Sequence, residues 1–229
     1  MTSHRMKQIQ IAILLGTVAA LLPTTASAAV IFTNFGPSLS YDTTQGNGMG
    51  NDFAGDVLAQ GDSFTPTVTS VFWSATLALS CVIGCPAPAD FTIALNADNS
   101  DSPGSVIESF SLTGVLLNGL GNNNTPITVT SILYPTLTAG TLYWITASSS
   151  IANTLTWNNN STGDTNDQAV SQDGGATWFA PTGATPSALE VDSVPEPSTG
   201  VLLAGAGLLL GLARKRLAMR GVRPAASRI

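Results

Sequence analysis

Thirteen carboxylates and no cations: that is the titratable inventory of residues 29–193, in a chain of 229 residues with a formal net charge of -6. Every lysine and arginine sits near an end, at Arg5 and Lys7 and again from Arg214 to Arg228, and the single histidine is His4. This placement excludes several chemistries for the central region. Nucleic-acid binding needs cations against phosphate. Ser-His-Asp and Cys-His catalysis need an imidazole, and Schiff-base chemistry needs a lysine. A zinc or iron centre ligated by histidine cannot be assembled. Carboxylate chemistry, hard-cation binding, or contact without catalysis remains.

Carboxylate catalysis of the glycosidase kind requires two facing acids. Glu108 and Glu190 are the only glutamates of the region, and neither has a partner at recognisable spacing. The turn "NADNSDSPG" groups Asp98, Asn99 and Asp101, an oxygen-rich cluster open to calcium, and Asp164 and Asp167 lie in a second such loop. Asp and Asn are equally good turn residues, and no twelve-residue calcium loop is present. "CVIGC" holds the only two cysteines, Cys81 and Cys85. In an exported chain this pair is expected as a disulfide clipping a loop; redox chemistry would want C-x-x-C and a nearby base.

"SQDGGATW", residues 171–178, has the S-x-D-x-G-x-T-W spacing and resembles an Asp-box. Asp173 can accept from the turn backbone beside Ser171 and Thr177. Gly175 supplies permissive angles, and Trp178 packs onto the hairpin. The resemblance implies a structural turn remote from catalysis, and one copy does not imply a sialidase propeller. Of the four tryptophans, Trp144 in "LYWIT" reads as core. Trp157, beside an Asn-rich loop, reads as the exposed residue best placed to stack on a sugar. The Thr pairs in "TPTVTS" and "TPITVTS" do not recur in the register an ice-binding array needs.

These residues must be positioned by strands. Runs at 68–79, 90–97, 105–114, 127–134 and 141–149 are rich in Val, Ile, Thr and aromatics, and partly alternate. Asn/Gly/Asp/Pro clusters separate them. No sustained helical period or fixed repeat appears, so the expected fold class is all-β: an antiparallel β-sandwich or jelly roll.

The two ends read as addresses. Basic Arg5 and Lys7, an apolar run at 11–22 and the small-residue site Ala26-Ser27-Ala28 form a secretory signal over residues 1–28, cut after Ala28. Its partners would be the Sec translocon and signal peptidase; a first transmembrane helix is the alternative, but about a dozen apolar residues are short for one. At the other end, Val194-Pro195-Glu196-Pro197 precedes an uncharged apolar stretch at 201–213. The basic cluster Arg214-Lys215-Arg216 comes directly after it. From Ser198 the uncharged stretch is 16 residues, roughly 24 Å as helix against a bilayer core of about 30 Å. The cluster would stay cytoplasmic, giving a single-pass precursor with its body outside.

Motif, apolar segment and basic cluster, in that order, resemble the PEP-CTERM sorting signal, a region also termed the ice-binding-protein C-terminal domain. That resemblance implies processing by exosortase, an integral-membrane protease, in a bacterium, and delivery to the envelope, surface or extracellular matrix. A plain C-terminal membrane anchor is the alternative. The tail beyond Arg216, "LAMRGVRPAASRI", is longer than the usual basic end. The body is similar to the choice-of-anchor R domain through "VIFTNFGPSLSYDTT", "FTIALNADNSDSPGSVIESFSLTG", "LTAGTLYWITAS" and "WNNNSTG" leading to "SQDGGATW". The expected organisation is therefore a signal peptide (1–28), a β-sandwich surface domain (29–193), a sorting signal (194–220) and a cytoplasmic tail (221–229). The expected role is non-enzymatic, structural or adhesive among exopolysaccharide. A lectin-like carbohydrate-binding module is the alternative, and a carboxylate-dependent glycoside hydrolase a second.

Overall fold

The computed structural model describes residues 28–51, 55–82, 89–149 and 155–194. The compact unit Ala28–Val194 is all-β among the described residues, apart from one 3-10 turn at Pro37–Leu39. Its strands are β1 (Ala29–Thr33), β2 (Gly46–Asn51), β3 (Val57–Phe64), β4 (Ser70–Leu77), β5 (Leu79–Cys81), β6 (Ala89–Asp98) and β7 (Pro103–Val115). They continue as β8 (Ile127–Thr130), β9 (Thr136–Leu137), β10 (Tyr143–Ser148), β11 (Leu155–Asn158), β12 (Gln168–Ser171) and β13 (Leu189–Ser193).

A five-stranded sheet runs β1-β13-β4-β8, with β9 also on β4. An eight-stranded sheet runs β5-β11-β2-β3-β10-β6-β7, with β12 also on β3. Paired strands are antiparallel throughout. The sheets share one apolar core: Phe72, Leu77, Leu189 and Val191 of the smaller meet Phe64, Ile93, Leu95 and Ile145 of the larger. Ring pairs bridge the layers, Phe32 to Phe64 at 5.9 Å and Phe72 to Phe110 at 6.4 Å. This is the β-sandwich expected from the alternating runs.

Side-chain alternation places the rest. On β10, Tyr143, Ile145 and Ala147 enter the core, so Trp144, Thr146 and Ser148 face outward. Trp144 is fully buried, yet on that outer face, where its Nε1 donates to Asp98 Oδ1 at 2.8 Å. A bulge in β7 pairs Leu95 with Glu108 and Asn96 with Val106, leaving Ile107 as the extra residue. Glu108 thereby points inward and Val106 outward.

Two expectations change. Trp157 is not exposed: it is 0% exposed in β11, held between β5 and β2, and its Nε1 donates to the Ala188 carbonyl at 2.9 Å. The run at 127–134 stops being strand at Thr130, because Glu108 captures residues 131–133. Its carboxylate accepts from Ser131 Oγ (2.6 Å), Ile132 N (2.7 Å) and Leu133 N (3.1 Å). The loop so pinned exposes Ile132 and Leu133, and stacks Tyr134 on Trp73 at 5.9 Å.

Candidate functional site

The outer face of the larger sheet carries a shallow groove. Its floor is built by outward positions of three neighbouring strands: Thr92, Ala94 and Asn96 from β6, Ser109 from β7, and Thr146 and Ser148 from β10. One wall is the turn after β12, with Gly174, Gly175 and the half-buried Trp178. The hollow measures about 220 Å³, and a neighbouring hollow of about 370 Å³ shares Thr92, Ser148 and Gly174 with it. Among the described residues, Asp90 is the one carboxylate lining either hollow, and its Oδ1 already accepts from Gly114 N at 2.9 Å.

The floor is flat because its side chains are small. Asn96 is secured by Nδ2 donating to Thr146 Oγ1 (3.0 Å) and to the Ala94 carbonyl (3.2 Å). At Gly61, a Cβ would stand 3.0 Å from Pro103 Cγ, 3.3 Å from Thr146 Cγ2 and 3.5 Å from Trp178 Cζ3. Glycine there lets the indole settle on the sheet. The result is hydroxyls, one carboxamide and one indole with little charge. Such a lining can hydrogen-bond and stack a neutral polyhydroxylated ligand. It brings no second acid to Asp90 among the described residues.

The wall is the "SQDGGATW" turn, and its hydrogen bonds form a closed set. Ser171 Oγ donates to Asp173 Oδ1 at 2.7 Å and accepts from Gly175 N at 2.7 Å. Thr177 donates from N to Asp173 Oδ1 (2.8 Å) and from Oγ1 to Oδ2 (2.7 Å). Gly174 and Gly175 both take left-handed backbone, at φ 76 and 100. The Thr177 bonds, then Ser171, hold the Asp173 carboxyl down at about 2. Asp173 therefore works as a turn former, and Trp178 supplies the motif's side chain in the groove wall, beside the backbone of Gly174 and Gly175.

The remaining sequence candidates are dispersed. Asp98 accepts the Trp144 indole on one oxygen and Asp101 N (3.5 Å) on the other, closing a tight turn with Ser100 and Asp101 left-handed. No group of three or more His, Cys, Asp or Glu able to hold a metal occurs among the described residues. Glu190 lies on β13 in the smaller sheet, where partial burial and then Asp192 raise its carboxyl; Glu108 belongs to the larger sheet. Cys81 is buried at the end of β5, and no cysteine is free among the described residues; Cys85 lies outside them.

The last described contact of the unit is at the start of the sorting motif. β13 ends at Ser193, paired with Phe72, and Val194 N donates to the Val71 carbonyl at 2.8 Å. Residues 193–216 match the PEP-CTERM protein-sorting motif. A motif of this kind implies processing by exosortase and export to the envelope or surface of a bacterium. No curated protein matches the chain. Ser193 and Val194 are the matched residues within the described region. Pro195, Glu196, Pro197 and the Arg214-Lys215-Arg216 cluster lie outside it, as does Ala26, while Ala28 directly precedes β1. No helix among the described residues is long and apolar enough to cross a membrane, and the apolar stretch at 201–213 lies outside them.

Proposed function

We propose that the chain is an exported surface or extracellular-matrix protein whose β-sandwich works by contact rather than catalysis, structural or adhesive among exopolysaccharide. The carrying observation is the sorting motif at 193–216, joined to a body whose outer groove offers hydroxyls and an indole with a single carboxylate. The Sec translocon carries the chain across the membrane, and signal peptidase removes residues 1–28. The segment at 201–213 then holds the precursor in the membrane once, with its basic end cytoplasmic, until exosortase acts. Cys81 and Cys85 pair across the short connection between β5 and β6, which the oxidising side of the membrane permits. The body belongs with choice-of-anchor R domains through residues 30–44, 91–114, 137–148 and 157–178.

A second reading, a carbohydrate-binding module with a defined site, is favoured by one feature: Thr92, Asn96, Thr146 and Ser148 present donors and acceptors on one plane beside Trp178. Glycoside hydrolysis has less support, since both Glu108 oxygens are occupied by the loop at 131–133. The test is binding of the purified protein to neutral and acidic polysaccharides, with Trp178→Ala as control. Binding to neutral chains that falls at least tenfold in the variant supports the groove as the contact face. Turnover of the polysaccharide, or binding indifferent to Trp178, contradicts this reading.

A further inference from the structure

The inner side of β3 is not uniformly apolar. Asp62 (1% exposed) and Gln60 (4%) face inward two residues apart, and Gln168 (6%) of β12 sits directly opposite Asp62 with its side chain on the same face. Asp62 Oδ1 accepts from Ser187 N at 3.1 Å. Asp62 Oδ2, Gln60 Oε1 and both polar atoms of Gln168 are buried without a hydrogen-bond partner among the described residues. Gln60 is anchored by its other end, Nε2 donating to the Gly48 carbonyl at 2.6 Å.

Directly opposed residues hold their Cβ atoms about 5 Å apart. A carboxamide at that range readily donates to a carboxylate, yet here neither end of Gln168 hydrogen-bonds Asp62. The nearby charge is also negative: Asp164, which accepts from Asn34 Nδ2 at 3.0 Å, acts on Asp62 and pushes its carboxyl further up. Asn34 Nδ2 also donates to the Ser187 carbonyl at 2.9 Å, which ties Asp164 to the segment that holds Asp62. Residues 29–193 contain no lysine, arginine or histidine to compensate.

Leaving such a set empty is costly, because an unpaired buried polar group loses about 1–3 kcal/mol and a buried unpaired charge more. A proton on Asp62 would neutralise it and could be donated to one glutamine oxygen, leaving the other orphaned. Water would satisfy the carboxamides and leave the charge. A hydrated hard cation does both, and carboxylate with carboxamide oxygens is the donor set calcium takes.

We infer that Asp62 Oδ2, Gln60 Oε1 and Gln168 Oε1 ligate an internal hydrated divalent cation of the calcium type, with Asp164 supplying the second negative charge. The cation locks β12 to β3 and so braces the turn that carries Trp178. The site is separate from the groove and stands whether or not the groove binds polysaccharide.

The test uses the full-length protein stripped with chelator. Calcium is then added back, with terbium luminescence reporting binding and thermal unfolding reporting stability. One saturable ion per chain is expected. At a hundredfold excess over Kd, the melting temperature should rise by roughly 5–10 °C. Asp62→Asn and Gln168→Leu should each weaken binding at least tenfold and remove most of the thermal shift. Absence of any calcium-dependent shift in the wild-type protein would overturn the site, as would a shift that survives in both variants. Should Asp62→Asn fail to fold, Gln168→Leu keeps the carboxylate and decides alone.

Discussion

At the scale of single residues, two aspartates respond to pH in opposite senses. Asp173 is held at about 2 by Thr177 and Ser171, so its contribution is present above the ordinary carboxyl range near 3.8 and disappears as pH falls through about 2. Asp173→Ala should lower the melting temperature at pH 7 and shift the emission of Trp178, which calorimetry and fluorescence would register. Asp62 is raised to about 7, first by burial and then by Asp164, against the opposing bonds from Ser187. Its folded form binds more protons than its unfolded form between about 3.8 and 7, so in chelator stability falls as pH rises through that window. The displacement corresponds to roughly 4 kcal/mol. Urea titrations at several pH values in chelator should show this decline, and Asp62→Asn should flatten it. Calcium, by holding Asp62 ionised, should also reduce the slope.

Among elements, β7 and its bulge do the positioning. One extra residue turns Glu108 inward, where it satisfies the loop at 131–133, and leaves Val106 and Ser109 facing the groove side. Glu108→Ala orphans three buried or half-buried donors and is expected to cost about 2–4 kcal/mol in urea unfolding, with Glu108→Gln losing less. At Gly61 of β3, valine would press on Pro103, Thr146 and Trp178. Gly61→Val should cost roughly 1–3 kcal/mol and lift the indole off the groove floor, seen as a red-shifted tryptophan spectrum. The long runs behind β4, β6, β7 and β10 were legible because alternation and β-branched residues coincide there. β2, "GNGMGN", was not legible: pairing with β11 and β3 makes it a strand, and Met49 alone takes it into the core. β3 hides for a related reason, since Gln60 and Asp62 stand where alternation would place apolar residues. Trp157 misled because its Asn-rich neighbours signal a surface, whereas strands on both sides of β11 bury it. The Asp173 turn could be read from its local spacing. The Gln60–Asp62–Gln168 set could not, because only the β3–β12 register joins residues so far apart in the chain.

For the whole molecule, function depends on how charge and address are distributed. A body with 13 acids and no cations carries a uniformly negative charge, and the basic residues are confined to the two ends. The small sheet delivers the sorting motif directly from β13, with Val194 still bonded to β4. The proposed sorting role rests on the residues immediately beyond, within the matched motif at 193–216. The most direct measurement tracks the fate of the full-length chain, wild type against a Pro195-Glu196-Pro197 triple alanine variant, in a host with exosortase and in one lacking it. Processed protein at the surface should appear only for the wild type with exosortase present, and full-length precursor should accumulate in the inner membrane in every other case. Equal processing and surface delivery of the triple variant, or of the wild type without exosortase, would contradict the account.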